Sequence, residues 1–173
     1  ILIGILSIIS GILYTGGPKP LGYIGLGDVF VLIFFGPVAV AGTDFVQSLS
    51  WSTDAIIIGL ASGLISTAIL VVNNLRDMIP DQKVGKNTLA VRFGETFARI
   101  EYTMCFIGAT VISLYYMTER LWVGLSLIAI GLSIPIIKAM WTDSGKDLDP
   151  NLAKTAKVLV AYSLLFSVGW TLG

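Results

Sequence analysis

Five apolar stretches long enough to cross a bilayer, with a shorter one ahead of them, leave this chain few ways to fold. The long ones run Asp28 to Gln47, Thr53 to Asn74, Glu95 to Met117, Leu121 to Met140 and Leu152 to Leu172; the short one is Ile1 to Tyr14. Inside a hydrocarbon core about 30 Å thick, every backbone donor and acceptor must be paired within a helix or a closed barrel. These runs lack the alternating polar residues of barrel strands, so the predicted fold class is all-α, a polytopic membrane helical bundle. Composition agrees. With 55% hydrophobic residues, 13% charged residues and a mean hydropathy of +0.86, 173 residues are too apolar for a water-soluble domain. The lipid bilayer is thus an expected partner, and no nucleic-acid partner is expected.

The opening run reaches only about 21 Å at helical rise, so it reads as the end of a span whose start is missing. The run shows no basic segment ahead of its apolar residues and no initiator Met, so a signal peptide is not expected here. Pro37 and Pro135 fall within spans and predict kinks, either of which could shape a cavity, although a kink needs no functional role. Gly59 and Gly63 are spaced for close approach by another helix.

Numbering the connections in order, the first, third and fifth share one membrane face. Lys19, Arg76, Lys83, Lys86, Arg92, Lys138, Lys146, Lys154 and Lys157 lie in or beside them, with Arg99 a little past the third, whereas the opposite face has Arg120. The positive-inside rule therefore assigns the loop after Asn74 to the cytoplasm.

No histidine is present, which excludes imidazole bases, Ser-His-Asp triads and His-ligated metals. Cys105 has no partner for an intrachain disulfide and reads as a packing residue. The chemistry is concentrated in Asn73-Asn74-Leu75-Arg76-Asp77-Met78-Ile79-Pro80-Asp81-Gln82-Lys83-Val84-Gly85-Lys86, at the end of an apolar span. Asn73, Asp77 and Asp81 follow an i, i+4, i+8 spacing and share a face if the helix continues. Pro80 allows the alternative that Asp81 lies in a loop folding back toward Asp77. Either way, two carboxylates can meet around one hard cation, and oxygen-only donors favour Mg²⁺. The neighbouring bases could hold an anion bridged by that cation, as a diphosphate would be. A merely solvated, self-neutralised loop is the competing reading, but two amides at the end of a span call for a polar partner. Asp143 and Asp147 form a second acidic pair on the same face; Ser144-Gly145 interrupts it, and a solvated loop is expected there.

Asn73-Asn74-Leu75-Arg76-Asp77, Asp81, Gly85-Lys86 and Thr88-Leu89-Ala90-Val91-Arg92-Phe93-Gly94 resemble the second aspartate-rich motif of the UbiA superfamily of intramembrane prenyltransferases. Together with Tyr14-Thr15-Gly16-Gly17-Pro18-Lys19-Pro20 and Gly25-Leu26-Gly27-Asp28-Val29-Phe30, they are similar to the branch that prenylates 1,4-dihydroxy-2-naphthoate. From Glu101 onward only the helix pattern agrees.

The resemblance implies nine membrane helices, with these six segments as helices four to nine, in one domain over residues 1–173. The N-terminal helices and first acidic motif would then be lacking, and the isolated polypeptide would be inactive. It implies Mg²⁺-assisted ionisation of a polyprenyl diphosphate and attack by an aromatic quinone precursor, with loss of CO₂, in menaquinone or phylloquinone synthesis. Asp77 and Asp81 would hold Mg²⁺, while Asn73 and Asn74 position its waters or diphosphate oxygens. Arg76, Lys83, Lys86, Lys19 and Tyr14 would contact the diphosphate. Two departures bear on these secondary contacts. Asn87 stands where a basic residue is common, and Lys19 follows Tyr14 by five residues instead of four. A bacterial inner membrane is the expected location. Other acceptors (4-hydroxybenzoate, homogentisate or a chlorin), a cation transporter, and a structural segment without activity remain alternatives; a transport site would lie near the bilayer midplane.

Overall fold

Residues 2–17 and 20–173 are described by a computed structural model. Helix α1 (Leu2–Thr15) precedes a pass built from α2 (Gly27–Ile33) and α3 (Ala39–Ser48), joined by a π-turn at Phe34–Val38. Next come α4 (Thr53–Arg76), the short α5 (Met78–Lys83) and α6 (Leu89–Phe93), and then α7 (Glu95–Met117). A 3₁₀ turn at Leu121–Leu125 leads into α8 (Ser126–Thr142), and α9 (Asp149–Leu172) closes the chain. Five passes, Gly27–Ser48, Thr53–Arg76, Glu95–Met117, Leu121–Thr142 and Gly145–Leu172, are long and apolar enough to cross a membrane. The protein is an integral membrane protein with an all-helical fold, as the apolar runs predicted.

Helix ends follow local chemistry. Ser52 caps α4 by accepting the Ala55 N–H at 3.1 Å, and Thr88 caps α6 through Val91 N–H at 3.3 Å. The last pass turns helical at Asp149, before the apolar run begins, because Pro150 fits a first turn whose N–H groups have no intrahelical partners.

Passes alternate in direction, and cross-links at both ends show it. At one end Asn74 meets Asp28, Arg76 meets Asp149, and Arg99 donates to the carbonyls of Trp141 and Asp143, both at 3.2 Å. At the other, Tyr116 donates to Asp54 at 2.9 Å and Arg120 to the Trp170 carbonyl at 3.2 Å. The loops after α1, α4 and α8 therefore share one face, in agreement with the loop parity.

Helix α4 is the hub, packed against α2, α3, α7, α9 and the π-turn. Lipid tails are as apolar as leucine, so close backbone packing and polar contacts between helices replace the hydrophobic effect here. Pro37 removes one backbone donor, and Gly36 leaves helical geometry (φ −108°, ψ −109°), so the chain widens into the π-turn. That turn seats on the Gly59/Gly63 stripe. A Cβ at Gly63 would lie 2.9 Å from Gly36 Cα, and one at Gly59 would lie 2.8 Å from Pro37 Cα. The outward faces carry exposed apolar residues such as Ile107, Val111, Ile128, Leu132, Val160 and Leu164, which suits contact with lipid.

Helices α7, α8 and α9 are tied by hydroxyls. Tyr102 pairs with Thr155 at 2.9 Å, Ser113 with Tyr162 at 2.9 Å, and Ser126 with Ser113 at 3.0 Å. Cys105 is buried among them at 5% exposure, a packing residue as expected. Tyr102→Phe should cost about 0.6 kcal/mol and no more than about 1.7 in a mixed-micelle unfolding titration. The loss is small because Thr155 still donates to the Asn151 carbonyl at 2.7 Å.

Candidate functional site

The polar cluster begins where the apolar face of α4 runs out. Asp77 N–H donates to the Asn73 carbonyl at 3.0 Å, and Asp81 N–H donates to the Asp77 carbonyl at 2.8 Å. These bonds carry helical register through the break at Asp77 (φ −97°, ψ 10°), so Asn73, Asp77 and Asp81 share a face. Pro80 lies in the first turn of α5, where an N–H would lack an intrahelical partner anyway. A second short helix therefore takes the place of a loop folding back. The reversal comes later, at Gly85 (φ +74°), where Lys86 N–H returns to the Asp81 carbonyl at 2.9 Å.

Charge is balanced locally. Arg76 grips Asp77 with both branches of its fork, Nε to Oδ1 at 2.8 Å and Nη2 to Oδ2 at 2.6 Å. The same guanidinium donates to Asn73 Oδ1 at 2.7 Å and to Asp149 Oδ1 at 3.0 Å, joining α4 to α9. Lys86 Nζ lies 2.8 Å from Asp81 Oδ2, and Lys83 is exposed, without an ion pair to any described residue. Among the described residues no three carboxylate or cysteine side chains converge as a metal site, so a cation here draws on at most two carboxylates of this chain.

Arg76 holds the Asp77 carboxyl below the usual carboxylate range, outweighing the opposite effect of partial burial. Because the folded pKa is depressed, the stabilisation is complete above the unfolded value of about 4 and is lost as pH falls through the folded value. Wild type should therefore lose more thermal stability than Arg76→Gln between pH 6 and pH 3. Equal losses would show that the tie contributes nothing.

A second wall is latched to the first. Asn87 N–H donates to the Tyr23 carbonyl at 2.8 Å, and Arg92 Nη2 donates to the Ile24 carbonyl at 2.8 Å. Asn87, which stands where a basic residue is common in the family, thus contributes through its backbone. Tyr14 is half-buried against this segment, and a Cβ on Gly27 would lie 3.1 Å from its hydroxyl. Lys19, the other expected contact from this stretch, lies outside the described residues.

The two amides divide. Asn73 faces Arg76, whereas Asn74 is buried and donates to Asp28 Oδ1 at 3.4 Å. Asp28, 4% exposed, has no described hydrogen-bond partner for Oδ2. Sequence reading did not assign it to the site, although an acid in the first turn of an apolar span is a signal in itself. Asp149, the outer partner of Arg76, gave no such signal. Asp143 accepts from Thr142 at 3.0 Å and Asn151 at 3.3 Å and so braces the α8–α9 turn, while Asp147 is exposed. Beside the π-turn, Ser10, Gly11, Tyr14, Phe30, Phe34 and Phe35 line an open apolar groove of about 560 Å³, so the Pro37 kink does border a cavity.

The sequence matches the UbiA prenyltransferase family over residues 1–171. It is 36% identical to 1,4-dihydroxy-2-naphthoate octaprenyltransferase of Haemophilus influenzae, over 99% of this chain and 57% of that protein. The Escherichia coli protein of the same name is 38% identical over 98% of this chain and 56% of its own length. Human UbiA prenyltransferase domain-containing protein 1 is 32% identical over 91% of this chain and 46% of that protein. The chain thus spans somewhat more than half the length of its bacterial relatives. With this match and the acidic face built at the end of α4, the chain belongs to the UbiA prenyltransferase family.

Proposed function

We propose that these residues form one side of a Mg²⁺-dependent site. It transfers a polyprenyl group from its diphosphate to 1,4-dihydroxy-2-naphthoate, with loss of CO₂, in menaquinone or phylloquinone synthesis. The supporting observation is the shared face of Asn73, Asp77 and Asp81 beside Arg76, Lys83 and Lys86. The apolar groove connects to it through Tyr14, Gly27, Asp28 and Asn74. The names of the bacterial relatives support the acceptor. A membrane transporter fits less well, because the cluster lies at the end of α4 and transport sites favour the midplane.

The donor set suits Mg²⁺. Each carboxylate has about four lone-pair sites, and Arg76 and Lys86 occupy only part of that capacity at Asp77 and Asp81. Mg²⁺ is commonly held by one or two carboxylates and completed by substrate phosphates and water. When bound, it supplies a positive charge that stabilises the departing diphosphate.

Lys83 and Lys86 offer ammonium groups to the leaving oxygens, and Arg76 holds Asn73 and Asp77 in place. The allylic C–O bond breaks with its electron pair leaving on the diphosphate; the acceptor ring carbon that bears the carboxylate forms the new C–C bond, and its bond to the carboxylate then breaks, the electron pair returning to the ring as CO₂ leaves. Groove walls such as Phe30 and Phe34 shelter the isoprenoid from water. Under the positive-inside rule the site opens to the cytoplasm, in a bacterial inner membrane. Radiolabelled prenyl transfer to dihydroxynaphthoate, with and without Mg²⁺, tests this reading. Transfer that persists in EDTA, or that requires a different acceptor, would overturn it.

A further inference from the structure

A second groove, of about 380 Å³, lies between α8 and α9. Its walls are apolar, formed by Leu132, Pro135, Ile136, Val158 and Ala161, but its lining also includes Lys154 and Lys157. Both lysines are exposed, and neither pairs with a described carboxylate. Three residues apart on α9, they are near neighbours whose like charges repel.

Depth indicates what belongs between them. Arg120 stacks over Trp170 with 4.3 Å to the ring centroid, the kind of pair that marks a membrane–water boundary. Counting back along α9 at helical rise, Lys157 is about 20 Å and Lys154 about 24 Å from Trp170. Both roots thus lie inside a core about 30 Å thick, near its far boundary. Helical side chains tilt toward the N-terminus, so both stems climb toward that boundary, the Lys154 ammonium to the headgroup layer and the Lys157 ammonium to a level just below it. The apolar walls continue below them. We infer that this groove binds an anionic phospholipid, its phosphate held between Lys154 and Lys157 and an acyl chain lying along Val158, Ala161, Ile136 and Leu132.

The probe is phosphatidylglycerol in mixed nanodiscs with phosphatidylcholine, read as lipids retained by native mass spectrometry. Wild type should retain phosphatidylglycerol in preference, and a Lys154→Gln, Lys157→Gln double variant should retain it about 30-fold more weakly, as loss of two basic residues at an anionic surface gives. Ala161→Trp keeps both charges and fills the groove, so its loss of the lipid separates a seated lipid from diffuse surface attraction. Lys146→Gln, in the α8–α9 turn outside the groove, should behave as wild type. The proposal is overturned if the double variant or Ala161→Trp retains lipid as wild type does. It is equally overturned if wild type shows no headgroup preference, or retains no lipid because another segment of the protein covers the groove.

Discussion

Asp77→Asn is expected to reduce prenyl transfer by about 10² to 10³-fold while the protein still folds, the loss typical of removing one group aimed at developing charge. The two effects separate because Arg76 keeps its bonds to Asn73 and Asp149 when Asp77 loses its charge. Asp81→Asn should give a loss of similar size, with Lys86 left as an unpaired ammonium at the protein edge. Since both carboxylates are assigned to one cation, the double variant should lose much less than the product of the single effects. Activity of the purified variants, measured beside their melting curves, checks this. Inactive variants that still fold cooperatively, with Asp77→Asn melting no lower than the loss of its tie to Arg76 accounts for, support a chemical role, whereas parallel losses of fold and activity would assign these acids to structure.

The second large effect concerns packing. Gly63→Ala adds one methyl group, yet that carbon would lie 2.9 Å from Gly36 Cα and also crowd the Leu32 carbonyl, both parts of the backbone. Neither can rotate away. Helix α4 must therefore separate from the π-turn, at a cost of about 1–3 kcal/mol. Gly131→Ala is the matched control, because a Cβ there has no neighbour within 4 Å and alanine is the better helix former. A mixed-micelle unfolding titration should find Gly63→Ala strongly destabilised and Gly131→Ala neutral or stabilised. If the two behave alike, the glycine stripe does not hold the π-turn.

Much of this architecture is legible in the residues because lipid imposes one solution on long apolar runs. Loop parity read from the lysines and arginines agrees with the observed cross-links at both ends, and the i, i+4, i+8 spacing survives Pro80. Other features depend on tertiary contacts between residues distant in sequence. Arg76 reads as a free base for an anion, yet it is bound to Asp77, Asn73 and Asp149, the last brought in by α9. Asn73 and Asn74 read as equivalent amides, but adjacent helical positions point about 100° apart, one to the cluster and the other to Asp28. The grooves beside Pro37 and Pro135 likewise require knowing which helices flank each proline.

The central claim is that Asp77 and Asp81 hold Mg²⁺ against a prenyl diphosphate. Its most direct measurement is calorimetric binding of a non-hydrolysable prenyl thiodiphosphate to the protein across a Mg²⁺ titration, in wild type and in an Asp77→Ala, Asp81→Ala double variant. The account predicts Mg²⁺-dependent binding in wild type that is lost in the folded double variant. Equal Mg²⁺-dependent binding by both would contradict it.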